Sequence, residues 1–251
     1  MAKDLGNQDI YDQRFLQNLF DEMQGSYERV SNICSFGFNR RWRKQLIKLM
    51  KIEGGHVCDF MTGTGEAWIY LLPKIGANGR LTAIDFSNQM VAGAERRKQK
   101  YGYKNINILD EDVLANSLSE ESLDIIVCSY GVKTLSKMNQ IQFAEQVKRV
   151  LKPGGICGLV EISIPSFNLL QWTYFAYLKY VVPIIGQIFL GNHENYRMLS
   201  TYLAYFKNCT ALKETFLNHG FHVESHSFFF GCATGLIAKK PLVVKKMLSV
   251  P

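Results

Sequence analysis

No two of the six cysteines, Cys34, Cys58, Cys128, Cys157, Cys209 and Cys232, stand at C-x-x-C spacing. That removes the usual zinc and dithiol signatures. Cys58, Cys128 and Cys157 fall inside apolar runs, where a free thiol behaves as a small buried hydrophobe. A reducing, cytoplasmic compartment is therefore expected. No internal repeat exists, and nothing reads as a linker between domains. Residues 1–12 lack the apolar stretch of a signal peptide. Nor is there an unbroken run for a membrane span. The most hydrophobic stretch, 169–190, is interrupted by Gln171, Lys179, Pro183, Gly186 and Gln187. Acidic residues are in deficit, 22 against 29 Lys and Arg, a net charge of +7. That balance favours anionic partners and says nothing about fold.

What is present is an ordinary globular composition, 47% hydrophobic and 20% charged over 251 residues. This suits one well-buried domain. Apolar spacing predicts helices over 10–24 and 40–51. A strand over 56–61 then leads into Thr62-Gly63-Thr64-Gly65 and a helix to about Ile75. Strands follow at 80–85, 105–109, 123–129 and 156–162, with helices at 88–101 and 139–151 between them. Lys152-Pro153-Gly154-Gly155 reads as a turn. Alternating strand and helix implies a parallel sheet covered on both faces. The expected fold is a Rossmann-like α/β domain with a seven-stranded, mostly parallel sheet. Its parts are N-terminal helices (10–51), a cofactor-binding core (52–163), a helical cap insertion (164–208), and a closing helix and strands (209–240). Within the cap, 167–191 is rich in aromatics and a helix is expected at 195–206; the closing helix is expected at 209–219.

The informative motif is Asp59-Phe-Met-Thr-Gly63-Thr64-Gly65-Glu66. Glycines let backbone turn sharply against a ligand, and the following helix offers free N–H groups. A dinucleotide would need G-x-G-x-x-G, and the third position here is Trp68. Asp59 would also repel a pyrophosphate. S-adenosylmethionine has no phosphate and carries an ammonium group, so it suits this loop. Asp85 ends the second strand, where a carboxylate can accept both ribose hydroxyls. Asp112 follows the third strand and is expected at the adenine amino group. Ser129 ends the fourth strand beside the methionine end. Phe86, Ser87, Met90 and Val113 complete the strand-end contacts, and Tyr27 joins them from the N-terminal stretch. Four cofactor contacts in strand order lie on one sheet edge, where open α/β sheets bind ligands. No metal is called for. His222, Glu224 and His226 alternate on one strand and read as a solvated face. The basic clusters 40–44 and 96–100 read as solvated helix faces, with contact to anionic lipid as the alternative.

With these motifs in place, the chain resembles the ubiquinone/menaquinone biosynthesis C-methyltransferases of the UbiE type, from about Phe20 to Lys239. The resemblance is carried by residues 20–27, then Asn32, Ser35, Gly37 and Trp42-Arg43, which look like that family's opening signature. Further matches are Arg149-Val-Leu-Lys-Pro-Gly-Gly155, Glu161-Ile-Ser163-Ile-Pro165, Pro183-Ile-Ile-Gly186 and Tyr196-Arg-Met-Leu199. The resemblance implies a class I methyltransferase that uses S-adenosyl-L-methionine, releases S-adenosyl-L-homocysteine and methylates a quinol or related phenolic ring. Where the family reads Phe-Gly-Leu-Arg-Asn, this chain has Tyr130-Gly131-Val132-Lys133-Thr134. Lys133 keeps the charge without the planar fork. Lys133, His193 and Tyr196 are the expected catalytic residues: Lys133 for phenolate charge, His193 as base and Tyr196 in the lining. The expected partner is a hydrophobic or aromatic small molecule, not nucleic acid, since no Asn/Asp-Pro-Pro-Tyr motif occurs. Membrane contact and a homodimer stay open. So do two other readings, a specialised O- or N-directed methyltransferase and a non-catalytic cofactor-binding subunit.

Overall fold

The structure, a computed structural model, describes residues 10–165, 167–188 and 193–242. Two helices come first, α1 (Gln13–Cys34) and α2 (Phe38–Leu49). The core then runs β1 (His56–Phe60), α3 (Trp68–Ile75), β2 (Arg80–Asp85), α4 (Asn88–Tyr101), β3 (Ile106–Asp110), β4 (Leu123–Ser129), α5 (Lys137–Val150) and β5 (Leu151–Ile162). The cap holds α6 (Asn168–Ala176), a π turn (Tyr177–Val181), α7 (Val182–Ile188) and α8 (His193–Phe206). α9 (Thr210–Asn218), β6 (His222–Phe228) and β7 (Ala233–Lys239) follow.

The seven strands lie in the order β3-β2-β1-β4-β5-β7-β6. β1 to β5 pair in parallel, and β7 runs antiparallel to both β5 and β6. Side chains alternate across the sheet as period two requires. Cys58 and Phe60 pack on one face with Phe143 and Phe216, while Val57 packs on the other with Trp42, Leu46 and Trp68. A third cluster joins α1 to the cap through Leu19, Met23, Val182, Tyr196 and Tyr202.

Two expectations are corrected. α1 continues ten residues past 24, because Ser26, Val30 and their neighbours keep helical spacing against the cap. The Lys-Pro-Gly-Gly segment lies within β5 rather than in a turn. The register shifts there, Leu123 pairing with Leu151 and Ile125 with Ile156. The extra residues bulge out, with Gly154 at φ +81°.

Candidate functional site

The carboxyl ends of β1, β2 and β4 open into a cleft lined by Phe20, Tyr27, Arg43, Asp59, Glu66 and Asp85, with Phe86, Met90 and Ser129 also in its wall. The loop after β1 turns on Met61, Gly63 and Gly65, all at positive φ. Trp68 shows why the third glycine of a dinucleotide loop is missing. Its indole packs on Gly65 so closely that a Cβ there would lie 2.7 Å from the ring. Trp68 Nε1 donates to Asp59 Oδ2 (3.1 Å), and Thr62 Oγ1 donates to the same oxygen (2.6 Å). Oδ1 stays available to a ligand. Burial pushes the Asp59 carboxyl up to about 7 and that of Asp85 up to about 6.

Asp85 braces the loop directly. Oδ2 accepts from Gly63 N (2.8 Å) and Oδ1 from Ser87 N (3.1 Å). Each oxygen keeps one lone-pair site, which suits the two hydroxyls of a ribose.

Five other expected contacts are engaged within the protein and are not among the side chains that line this cleft. Thr64 donates from Oγ1 to Glu66, and Gly65 is occupied by Trp68. Ser87 caps α4 through Met90 N and donates to Asp21. Asp112 caps a short 3-10 turn (Val113–Ala115) through Leu114 N and accepts from Gln13. Val113 is buried in the core. For Ser87 and Asp112 the reason is shared: polar groups at strand ends are drawn into capping the next helix. α1 crosses this edge and is tied to it by Gln13, by Gln17 on Phe86 O and by Asp21 on Ser87.

Beside the cleft lies a second cavity of about 320 Å³, predominantly apolar. Cap residues Leu170, Tyr174, Tyr177, Leu178 and Val182 roof it, and Trp42, Val30 and Ile162 form other walls. Tyr27 and Tyr130 line both spaces, so the two meet there. Burial raises both phenols above their ordinary range, which keeps them protonated donors. Tyr130 OH donates to Asn39 O (2.6 Å).

A family model, the ubiE/COQ5 methyltransferase family, matches residues 7–240. The chain belongs to that family. It is an S-adenosylmethionine-dependent methyltransferase. Among its curated relatives, a demethylmenaquinone methyltransferase of Oceanobacillus iheyensis is 28% identical over 220 residues, 87% of this chain and 92% of that protein. A namesake from Staphylococcus haemolyticus is 29% identical over 221 residues, 87% and 90% of the two chains. A SAM-dependent methyltransferase from Aquifex aeolicus shares the fold, with TM-score 0.55, 21% identity and 78% and 88% coverage. So does a phosphoethanolamine N-methyltransferase of Haemonchus contortus bound to S-adenosylhomocysteine, with TM-score 0.62, 15% identity and 96% and 61% coverage.

For this ubiE/COQ5 family member, the cleft fits its cofactor. Two buried polar atoms there have no hydrogen-bond partner, Arg43 Nε and Ser129 Oγ. Such orphans call for a ligand. Arg43 corrects the reading of 40–44 as a solvated face. It is 6% exposed, and its guanidinium lies 5.1 Å above the Tyr130 ring. Glu66, the last residue of the acid–glycine motif, also lines the cleft, a position that the motif alone does not assign. Arg43 had one signal in the sequence, the Trp42-Arg43 pair of the opening signature.

Of the expected catalytic residues, Lys133 lines the apolar cavity and is the charged side chain there among the described residues. Its Nζ donates to Tyr130 O (2.5 Å) and to Glu161 Oε1 (3.1 Å). Tyr196 lines the same cavity, and its hydroxyl lies 2.7 Å from Ser26 Oγ. His193 begins α8, and its side chain lies outside the described residues.

Proposed function

We propose that this methyltransferase alkylates a ring carbon of a quinol of the demethylmenaquinol type. The observation that carries the reading is the apolar cavity that meets the cofactor cleft at Tyr27 and Tyr130 and, among the described residues, holds one charged side chain, Lys133. The curated relatives named demethylmenaquinone methyltransferases support the same acceptor.

When bound, S-adenosylmethionine supplies an electrophilic methyl group. The chain's own work is to bind, align and exclude water. Arg43 and Ser129 would hold the methionine carboxylate end, Asp59 and Glu66 its ammonium, and Asp85 the ribose. Phe20, Phe86 and Met90 offer apolar surface to the adenosine. On the acceptor side, Lys133 has one N–H left after Tyr130 O and Glu161. That donor stabilises negative charge on the ring oxygen as the neighbouring carbon becomes nucleophilic: the phenolic proton leaves to water, the S–CH3 bond breaks as the C–CH3 bond forms, and the proton shed by the methylated carbon returns to the ring oxygen. The buried phenols of Tyr27 and Tyr130 hold their protons and act as donors rather than bases. Tyr196, with Ser26, closes the cavity wall. A lipid-tailed acceptor also implies work against a membrane surface.

An anaerobic assay with a short-tailed demethylmenaquinol tests this. One methyl on a ring carbon, found by mass and NMR, is expected, with no product from the oxidised quinone. Methylation on oxygen would instead favour the reading of a specialised O-methyltransferase, for which Lys133-Thr134 in place of Arg-Asn is the supporting observation.

A further inference from the structure

The mouth of the apolar cavity is built from bulky aromatics on strained backbone. Phe36, Phe229 and Phe230 have φ of +50°, +44° and +53°. That region suits glycine or asparagine and is costly for phenylalanine. The three side chains nevertheless stand 78%, 50% and 77% exposed. Phe36 stacks on Tyr177 of the cap at 5.9 Å, Phe229 meets Phe38 at 4.5 Å, and Phe230 extends from Phe229 at 5.5 Å. Phe36, Phe38 and Phe229 line the cavity itself. The cap carries further apolar side chains in the open, Trp172, Tyr180, Ile184 and Ile188, all more than half exposed.

Charge follows the same stretches. Residues 29–52, 162–165, 167–188 and 225–242 supply this mouth and the outer cap, and they contain no aspartate or glutamate. All 22 acidic residues lie elsewhere in the chain. Cations are interleaved with the rings. Arg41 lies 5.9 Å from the Phe38 ring, and Lys179 lies 5.2 Å from that of Tyr180. Arg41 is exposed and makes no ion pair among the described residues. Exposed aromatics bordered by Lys and Arg match the headgroup level of an anionic bilayer, where rings enter the interface and cations meet phosphate. No helix among the described residues is long and apolar enough to cross a membrane, so this contact is peripheral.

We propose that the cavity mouth docks on an anionic lipid bilayer through Phe36, Phe229, Phe230 and Arg41, so that an acceptor passes from lipid into the cavity without crossing water. The proposal rests on a lipid-tailed acceptor and adds the surface that delivers it. The test is co-sedimentation of the full chain with vesicles of phosphatidylcholine, with and without phosphatidylglycerol. Phe230 and Arg41 do not line the cavity. Phe230→Asn also relieves the strained φ, so the variant keeps its fold. The wild type is expected to pellet with the anionic vesicles and much less with neutral ones. Phe230→Asn/Arg41→Glu should weaken that binding by about tenfold or more, with turnover of a water-soluble short-tailed quinol unchanged. Equal binding by wild type and the double variant overturns the docking surface. So does failure of the wild type to pellet, even where the soluble quinol is methylated. A concentration-dependent dimer in sedimentation velocity, lost in the same variant, would assign the face to a second copy instead. If the soluble quinol is not turned over by either protein while vesicle binding behaves as described, the acceptor assignment fails and the surface stands.

Discussion

Lys133 and Glu161 form an ion pair closed off from water: Nζ lies 3.1 Å from Oε1, and the side chains are 4% and 0% exposed. Glu161 is held from three sides, since Oε2 accepts from Lys133 N and Oε1 also accepts from Ile162 N. One pair thus fixes the turn after β4 against the end of β5.

This changes what removing Lys133 does. Lys133→Met leaves a buried carboxylate without its partner, which costs about 3–5 kcal/mol of stability. Lys133→Met/Glu161→Gln is expected to recover most of that in denaturant unfolding. Turnover should fall in both, by the roughly 2–4 kcal/mol typical of one lost electrostatic group. Lys133→Arg retains part of it. Near wild-type turnover in the double variant would remove Lys133 from the chemistry and leave it a structural residue.

Arg43 is expected to recognise the carboxylate end of the cofactor. Arg43→Met should weaken S-adenosylhomocysteine binding by about 1.5–3 kcal/mol, the scale of a hydrogen bond to a charged group. 5′-Methylthioadenosine, which lacks the amino and carboxylate groups, should bind wild type and variant alike. Calorimetry with both ligands separates lost recognition from a disturbed cleft, because equal losses for the two would point to the latter.

The pH dependence follows from Asp59, whose carboxyl is raised from 3.8 to about 7 in the folded chain. The folded state therefore holds more protons than the unfolded one between about pH 4 and pH 7. This carboxyl's contribution to stability falls as pH rises through that window. Cofactor binding runs the other way, because an ammonium favours the ionised carboxylate. Affinity for S-adenosylhomocysteine should drop by about tenfold from pH 7.5 to 5.5, with protons released on binding. Asp59→Asn should flatten the profile. A flat profile in the wild type would show that Asp59 does not face the ligand charge. Asp85, raised to about 6, acts with the same sign.

Gly65 has both a positive φ (+85°) and the Trp68 ring against it. Gly65→Ala is expected to lose about 1–3 kcal/mol from the backbone alone, with the indole displaced from Asp59. Gly65→Ala/Trp68→Leu removes the clash but not the φ cost, so it should recover only part of the stability. Thermal unfolding of the two variants reads the difference.

The parallel core was legible because its signals are local. β4 was read at 123–129 from its apolar run, α4 at 88–101 and β2 at 80–85, each bounded by its own caps and turns. The acid–glycine loop excluded a dinucleotide through Trp68, and Tyr27, Asp59, Gly63, Asp85, Phe86, Met90 and Ser129 meet in one cleft. Thr64, Ser87 and Asp112 hydrogen-bond within the protein, to Glu66, Met90 N and Leu114 N. Sequence position gives a strand end but not which way its polar group turns.

What the sequence determined by itself was therefore the layered α/β fold, the loop and the family, because periodicity, turn chemistry and motif spacing act over a few residues. The tertiary structure decided the partners. Arg43, thirteen residues before β1 in a run that reads as a basic helix face, turns inward because α2 packs on the sheet and presents it to Tyr130. Lys133 meets Glu161 across 28 positions of chain. Phe36 meets the cap at Tyr177, and Phe38 meets Phe229. Such contacts depend on how distant elements stack, and burial then fixes which charges must be paired and which stay open to a ligand.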